Sequence, residues 1–319
     1  MARLSQAIKI QVASKEWKEI HLSRHGPGLS HLFFADDLVL FAEATTQQMR
    51  VIRSILQAFC DSSGHKVSSS KTTIFFSANT ERMIRQEIVS GFGFEEVNDL
   101  GKYLGVPLLH SRVKKATFGY LIEKVRNRLS HWEVGSLSLA GRITLARSVL
   151  HAIPNYTMQT MWLPKGVCLE LEKIIRGFVW GEALGRKKLH LVRWEVACKP
   201  IRNGGLGFRQ LEFVNDSFLM KLGFQLIHDN NKLWVRVLRA KYRWEGFIPA
   251  DLRYNRCSRL WKGIARVWDT VKQGLVWSVR DGSTVDFWFD EWLENVGCLA
   301  SYAVHGYIYT YAHTGCALC

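Results

Sequence analysis

The stretch "LSHLFFADDLVLFAEAT", residues 29–45, places two adjacent aspartates, Asp36 and Asp37, between two strongly apolar runs. Alternate positions of the two runs are apolar, which is the period of half-buried strands: Leu32, Phe34, Leu38 and Leu40. An unpaired charge is costly inside an apolar strand. The pattern therefore predicts a β-hairpin over residues 29–43 with both acids at its tip.

An acidic pair at a hairpin tip has two interpretations. Carboxylate oxygens suit Mg²⁺, which also binds substrate phosphates, so the pair can serve phosphoryl transfer. Aspartate is also common in ordinary polar turns, where it hydrogen-bonds to the nearby backbone. Taken by itself, the pair favours the ordinary turn.

The composition indicates a basic globular protein. The chain has 319 residues, enough for two domains, with 43 Lys plus Arg against 28 Asp plus Glu and a net charge of +15. Nucleic acid is the leading candidate for the partner, and an anionic membrane surface is the rival. We see no apolar run of about 18 residues and no secretory signal, so we predict no membrane span. Seven scattered cysteines favour reduced thiols, hence an intracellular protein, nuclear or cytoplasmic.

The residues after the hairpin predict mixed structure up to about residue 110. A helix is predicted between Thr45, a suitable N-cap, and Gly64. The β-rich residues 71–77 predict a strand, and Asn79 is placed to cap a second helix ending near residue 90. "LGKYLGVPLLH", residues 100–110, predicts two short strands with glycine at the bends.

From Val113 onward the pattern predicts helices. The first has a continuous apolar stripe: Phe118, Leu121, Ile122, Val125, Leu129 and Trp132. Further helices are predicted over residues 137–153, 164–181, 211–228 and 231–243. "NGGLGF", residues 203–208, predicts a turn that divides this helical block. The tail from about Trp277 is aromatic and β-like.

Several motifs, in this order, resemble one family. "FFADDLVLF" is similar to a palm motif, "SGHKVSSSKTTIFFS" to the next palm element and "LGKYLGVPL" to the primer-grip hairpin. "HWEVGSLSLAGRITLARSVLHAIPNYTMQTMWLP" is similar to a helical thumb, and "RNGGLGF" and "FLMKLGFQLI" to the extension after it. Together, over roughly residues 3–295, they resemble the reverse transcriptases of non-LTR (LINE-type) retrotransposons, especially the plant branch.

The resemblance implies roles for individual residues. Asp36 would be a catalytic ligand of Mg²⁺ and Asp37 a weaker or indirect ligand. Lys71 would lie near the triphosphate and could protonate the departing pyrophosphate, as general acid catalysis requires. The primer end would be held by three residues of the hairpin: Tyr103, Leu104 and Gly105.

Basic residues on the first thumb helix fit a surface that follows phosphates. They flank its apolar stripe: Lys115, Lys124, Arg126 and Arg128. The alternative is an ordinary solvated helix flank. "GRKKLH", residues 185–190, is a denser basic cluster that fits either a nucleic-acid contact or a solubilising loop.

The catalytic set that the resemblance implies is incomplete. Polymerase chemistry in the family needs a third carboxylate upstream, and none of the 35 residues before Asp36 is an aspartate. We therefore expect weak Mg²⁺ binding and no polymerase activity from this polypeptide alone. At the other end, Cys316 and Cys319 have the CxxC spacing. A structural zinc needs four ligands, and although His305 and His313 lie nearby, the segment is too short for a convincing zinc site.

We expect an α+β protein with three parts. Residues 1–110 form a partial palm with a small antiparallel sheet and an exposed apolar edge, residues 111–245 a helical thumb, and residues 246–319 an extension resembling the start of a zinc-binding-like region. The expected function is a fragment of an RNA-directed DNA polymerase, with an RNA template and DNA primer, or an RNA–DNA hybrid, as partner. A non-catalytic nucleic-acid-binding module and a non-functional element remnant remain alternatives.

Overall fold

The fold is α+β, as the sequence predicts. The computed structural model describes residues 1–109, 113, 115–132, 136–182, 188–244, 246–252, 257–276, 279, 285–293 and 296–302. The amino-terminal elements are α1 (Ala2–Ala13), β1 (Ile20–His21), β2 (Gly28–Leu29), β3 (His31–Phe34), β4 (Asp37–Leu40), α2 (Thr46–Ser63), β5 (Thr73–Ile74), α3 (Arg82–Phe92), β6 (Glu95–Glu96), β7 (Lys102–Tyr103) and β8 (Val106–Pro107).

The predicted acidic hairpin is present as β3 and β4, which pair antiparallel around a two-residue turn, Ala35–Asp36. The register pairs Phe33 with Leu38, and this face packs on the core beneath. The opposite face carries Leu32 and Phe34, which are 38% and 59% exposed. Leu32 and Phe34 therefore do not share the buried face with Leu38, as a single half-buried face would require. This face of the hairpin therefore exposes apolar side chains, while the apolar edge expected on a palm sheet stays a prediction.

The first helix after the hairpin has the two predicted ends. The Thr45 side chain accepts a hydrogen bond from the Gln48 backbone N–H, and Gly64 closes α2 with φ 72°. The fully buried Gln48 side chain also donates to the Glu16 carbonyl oxygen at 2.7 Å and accepts from the Lys18 N–H at 2.9 Å. This amide fastens the loop after α1 to α2. The buried residues of the small core around it are Leu4, Ile8, Trp17 and Ile55.

The strands form four separate two-stranded pairs, where the sequence predicts one small antiparallel sheet. Three pairs are antiparallel, and β5 pairs with β6 in parallel. The predicted strand over residues 71–77 is reduced to Thr73–Ile74, and the second helix begins at Arg82 after Glu81 rather than at Asn79. Strands of two residues make too few ladder hydrogen bonds to join into a wider sheet, so the helices supply most of the packing.

The carboxyl-terminal part is helical. Its elements are α4 (Gly119–Ser130), α5 (Leu139–Leu145), a π-helical turn (Ala146–Leu150), α6 (Asn155–Met158), α7 (Lys165–Trp180), α8 (Trp194–Ala197), α9 (Leu211–His228), α10 (Leu233–Tyr242), α11 (Arg259–Arg266) and α12 (Trp268–Gln273). Short 3₁₀ turns cover Lys115–Phe118, Ile201–Asn203 and Leu299–Tyr302.

Two apolar cores organise these helices. The first surrounds α7, and the predicted stripe of α4 packs into it, with Phe118 and Val125 fully buried. The second lies among α9, α10, α11 and α12 and contains Trp261 and Trp268. Trp162 stands beside it, with the Arg259 and Arg266 guanidinium groups 4.8 and 5.1 Å from its ring centroid. The residue ranges predicted for three domains stay a prediction.

The predicted β-like tail falls largely outside the described residues. Residues 277, 278 and 280–284 of the tail lie outside the described residues. The same holds for Cys316, Cys319, His305 and His313. The described residues 285–293 form turns and bends rather than a strand.

Candidate nucleic-acid interface

The two aspartates stand on an anchored support. Asp36 is the second turn residue, Asp37 opens β4, and both side chains are exposed. Below them, the Trp17 indole N–H donates to the Phe41 carbonyl oxygen at 2.9 Å, and the Ser5 hydroxyl lies 2.8 Å from the His31 imidazole Nε2. The tip is thus held by the core while its two acids face solvent.

The turn itself carries backbone strain. Ala35 has φ 51°, in the left-handed region that side chains other than glycine rarely adopt. A non-glycine residue there costs about 1–2 kcal/mol, and such strain is often found at functional sites. The structure therefore maintains a tight two-residue turn beside the acids in place of a relaxed loop.

The acidic pair fits one mode of magnesium binding and not another. Mg²⁺ commonly binds through one or two carboxylates while it keeps waters and takes substrate phosphates, and Asp36 and Asp37 can supply those carboxylates. Among the described residues, no group of three or more His, Cys, Asp or Glu is placed to hold a metal ion. Glu43, the next acid along the chain, pairs with Lys18 at 3.2 Å. A site with a third, bridging carboxylate is therefore not assembled within these residues.

Lys71 lies in the exposed turn before β5, where its N–H donates to the Ser68 carbonyl oxygen at 3.1 Å. Within the described part of the chain, no hydrogen bond or ion pair joins it to either aspartate. Its role beside a triphosphate remains a prediction.

The predicted primer-binding residues form a second tight hairpin, β7–β8. Leu104 and Gly105 make its turn with φ 50° and φ 78°, and two successive positive values are typical of a type I′ turn. The Tyr156 hydroxyl donates to the Leu104 carbonyl oxygen at 2.6 Å, which ties this hairpin to the helical part. Tyr103 is half-buried, and Gly105 is exposed with little around it. Tyr156 carries no local signal for this role, because 52 residues separate it from Leu104.

The four basic residues predicted to follow phosphates divide into two pairs. Lys124 and Arg128 are exposed on α4 and make no ion pair with any described residue. Lys115 and Arg126 both face Glu170 of α7, at 2.5 and 3.9 Å. A hydrogen bond from Lys115, together with nearby positive charges, lowers the pKa of the Glu170 carboxyl, so it is ionised at neutral pH. Glu170 thus neutralises part of the predicted interface. The sequence alone did not predict this contact.

An open cleft of about 600 Å³ lies between α4 and α7. Its walls combine cations, two carboxylates and apolar side chains: Lys115, Arg126, Lys173, Glu170, Glu182, Leu129, Leu169 and Phe178. The separate basic loop is described only in part, since residues 185–187 lie outside the described residues. Lys188 is exposed, and the His190 imidazole Nε2 lies 3.0 Å from the Glu182 carboxylate Oε1.

Comparisons with known proteins give two plant relatives. One, named "Putative ribonuclease H protein At1g65750", from Arabidopsis thaliana, is 37% identical over 197 residues, which cover 59% of this chain but 31% of the relative. The other, named "Uncharacterized mitochondrial protein AtMg00310", from the same plant, is 31% identical over 143 residues, which cover 44% of this chain and 93% of the relative. No protein-family model matches the chain. Of the helices in the described residues, none is both long and apolar enough to cross a membrane.

Proposed function

The chain belongs to the same family as the mitochondrial protein of Arabidopsis thaliana, and from this premise we propose that it is a retroelement-derived nucleic-acid-binding unit. It corresponds to the acidic hairpin and thumb of the RNA-directed DNA polymerase of a non-LTR retrotransposon. Its partner is an RNA template with a DNA primer, or the RNA–DNA hybrid they form. The other relative is named as a putative ribonuclease H protein, and because this chain covers only 31% of its length, the name supports the retroelement origin and not a substrate.

One observation carries the proposal. Two exposed carboxylates stand at the turn of an anchored hairpin, and the following helical part presents the cations Lys124 and Arg128, which form no ion pair within the described part of the chain. Carboxylates that would hold Mg²⁺ and cations that would follow a phosphate backbone are the two complementary parts of a polymerase product site. A net charge of +15 adds long-range attraction for a polyanion.

The polypeptide is proposed to bind nucleic acid without extending a primer. When bound, Mg²⁺ offsets negative charge on phosphate oxygens. Asp36 and Asp37 would hold it, but as two carboxylates they leave most of its coordination to water and phosphate, so binding is weak. If a site with only these two carboxylates loses about 4 kcal/mol of transition-state stabilisation, the reaction rate falls about a thousandfold. This favours a binding module over an independently active polymerase.

The binding part is tested by titrating a labelled RNA–DNA hybrid at several salt concentrations. Each phosphate contact contributes about 0.7–0.9 to the slope of log K against log salt. Replacing Lys124 and Arg128 by Gln should flatten the slope by about 1.5, and Arg126→Gln should add less because Glu170 already faces that guanidinium. A slope unchanged in the double variant would place the interface elsewhere.

The matched control removes two cations from the amino-terminal part. Lys9→Gln with Arg50→Gln lowers the net charge equally at exposed positions on α1 and α2. It should leave the slope nearly unchanged. An equal flattening in this control would mean that binding follows net charge rather than a surface on α4.

The catalytic part is tested by primer extension on a primed RNA with Mg²⁺ or Mn²⁺, using wild type and Asp36→Asn in parallel. Neither protein is expected to add nucleotides. Extension by wild type that disappears in Asp36→Asn would show that another carboxylate completes the site, and would replace the binding module with a polymerase.

A further inference from the structure

A second basic surface lies where the π-helical turn meets the glycine-rich loop at residues 201–209. A Cβ built on Gly207 would lie 3.5 Å from the Arg147 guanidinium carbon, so this side chain lies directly over the loop. The His151 ring stacks on Phe208, with centroids 5.5 Å apart, and Phe208 stacks on Trp194 at 4.9 Å. Single π-helical turns often occur at functional sites.

The loop is held in one conformation. A Cβ on Gly205 would come within 2.0 Å of the Lys199 carbonyl oxygen, so the backbone there is as close as glycine allows. The Leu206 N–H donates to the Ala197 carbonyl oxygen at 2.9 Å, and the Gly207 N–H to that of Lys199 at 3.0 Å. The side chains that project from the loop therefore start from fixed positions.

Exposed arginines outnumber exposed acids at this junction, where α8 also exposes the Glu195 carboxylate. Arg147, Arg202 and Arg209 are all exposed, and none forms an ion pair with a described residue. Glu195, in neighbouring α8, is likewise not paired with any of the three. Burial, with the nearby Arg209 and Arg147 charges as smaller causes, lowers the pKa of the His151 imidazole to about 4. The imidazole is therefore neutral at pH 7, and the local charge comes from the guanidinium groups.

We propose that Arg147, Arg202 and Arg209 form a second phosphate-contacting surface, here called the arginine face, that binds the sugar–phosphate backbone of the nucleic acid. The inference rests on the proposed function and extends it beyond α4. Guanidinium groups pair with phosphate oxygens through two parallel hydrogen bonds. Three of them that form no ion pair with a described residue suit a chain of phosphates.

The aromatic stack beneath the arginine face determines what kind of contact it makes. Phe208 and Trp194 are 2% and 6% exposed, so their rings are not available to stack on bases. Recognition is therefore confined to the backbone and is independent of sequence. Arginine contacts of this kind fix the position of a strand without reading it.

The test replaces all three arginines by Gln and, separately, by Lys. The probe is a labelled RNA–DNA hybrid titrated at several salt concentrations. Loss of three phosphate contacts should flatten the salt slope by about 2–3. The triple Lys variant keeps the charges and should retain most of the slope. The matched control, Lys9→Gln with Arg50→Gln and Arg82→Gln, removes three exposed cations from α1, α2 and α3 and should change the slope little.

The outcomes separate this inference from the proposed function. Absence of hybrid binding by wild type would overturn both. Binding by wild type with an unchanged slope in the triple Gln variant would overturn the arginine face alone. An equal loss in the Lys and Gln variants would mean that the arginines support the loop and do not contact phosphate. Binding to vesicles of anionic lipid, lost in the Gln variant while hybrid binding persists, would assign the face to a membrane surface and also overturn the inference.

Discussion

Glu170→Gln should strengthen binding to nucleic acid. In the native protein the Glu170 carboxylate faces the Lys115 ammonium at 2.5 Å and the Arg126 guanidinium at 3.9 Å. The neutral amide would leave both cations free for phosphates. Two added contacts steepen the slope of log K against log salt by about 1.4–1.8, at about 0.7–0.9 each. Affinity for the hybrid at 50 mM salt relative to 200 mM should then rise about tenfold more than in wild type.

The assay is fluorescence anisotropy of a labelled RNA–DNA hybrid at 50, 100 and 200 mM salt. Glu212→Gln is the matched control, since Glu212 also pairs with a lysine, Lys165, at 3.0 Å and is similarly exposed, but lies on α9. It changes the net charge equally and should leave the slope close to wild type. Equal effects from both variants would refute the reasoning, because the gain would then come from net charge. An unchanged slope in Glu170→Gln would show that Lys115 and Arg126 do not reach phosphates.

Three further predictions concern stability. Gly205→Ala should destabilise the fold by about 3 kcal/mol in urea unfolding, since its Cβ meets the Lys199 carbonyl oxygen at 2.0 Å and about three loop hydrogen bonds would be disturbed. Gly204→Ala, with open space but φ 76°, should cost only about 1–2 kcal/mol, and a larger cost than Gly205→Ala would contradict this account. His151→Phe should flatten the pH dependence of stability: with a folded pKa of about 4 and an unfolded value of 6.5, the unfolded state binds more protons between these values, so native stability falls by up to about 3 kcal/mol as pH drops from 6.5 to 4. An unchanged pH profile in the variant would show that His151 is not the group responsible. Asp36→Asn should leave the melting temperature unchanged or slightly higher in Mg²⁺-free buffer, because it removes one of two adjacent like charges, and a clear fall would show that Asp36 supports the turn.

Local signals in the sequence predicted local structure well. Thr45 and Gly64 mark the ends of α2 because capping depends on a hydrogen bond and a backbone angle within a few residues. The helix predicted over residues 211–228 is α9, and the apolar stripe of α4 faces the core as its spacing predicts. In each case the determining interactions are close in sequence or follow one periodicity.

Features set by tertiary contacts were not predictable in the same way. Both faces of β3 are apolar, so alternation alone could not tell that Phe33 faces the core while Leu32 and Phe34 face solvent. Glu170 lies 44 residues after Arg126, and the neighbouring sequence gives no signal that its carboxylate faces the Arg126 guanidinium. The arginine face is likewise assembled from two segments, because Arg147 lies 55 residues before Arg202.

This chain is proposed to hold nucleic acid through phosphate contacts. The most direct measurement is the affinity of the wild-type protein for an RNA–DNA hybrid between 50 and 200 mM salt. Lys124 and Arg128 contribute about −1.5 to the slope and the arginine face about −2 to −3, so we expect a slope of about −3.5 or steeper. No measurable binding at 50 mM salt, or binding whose affinity does not change with salt, would contradict it.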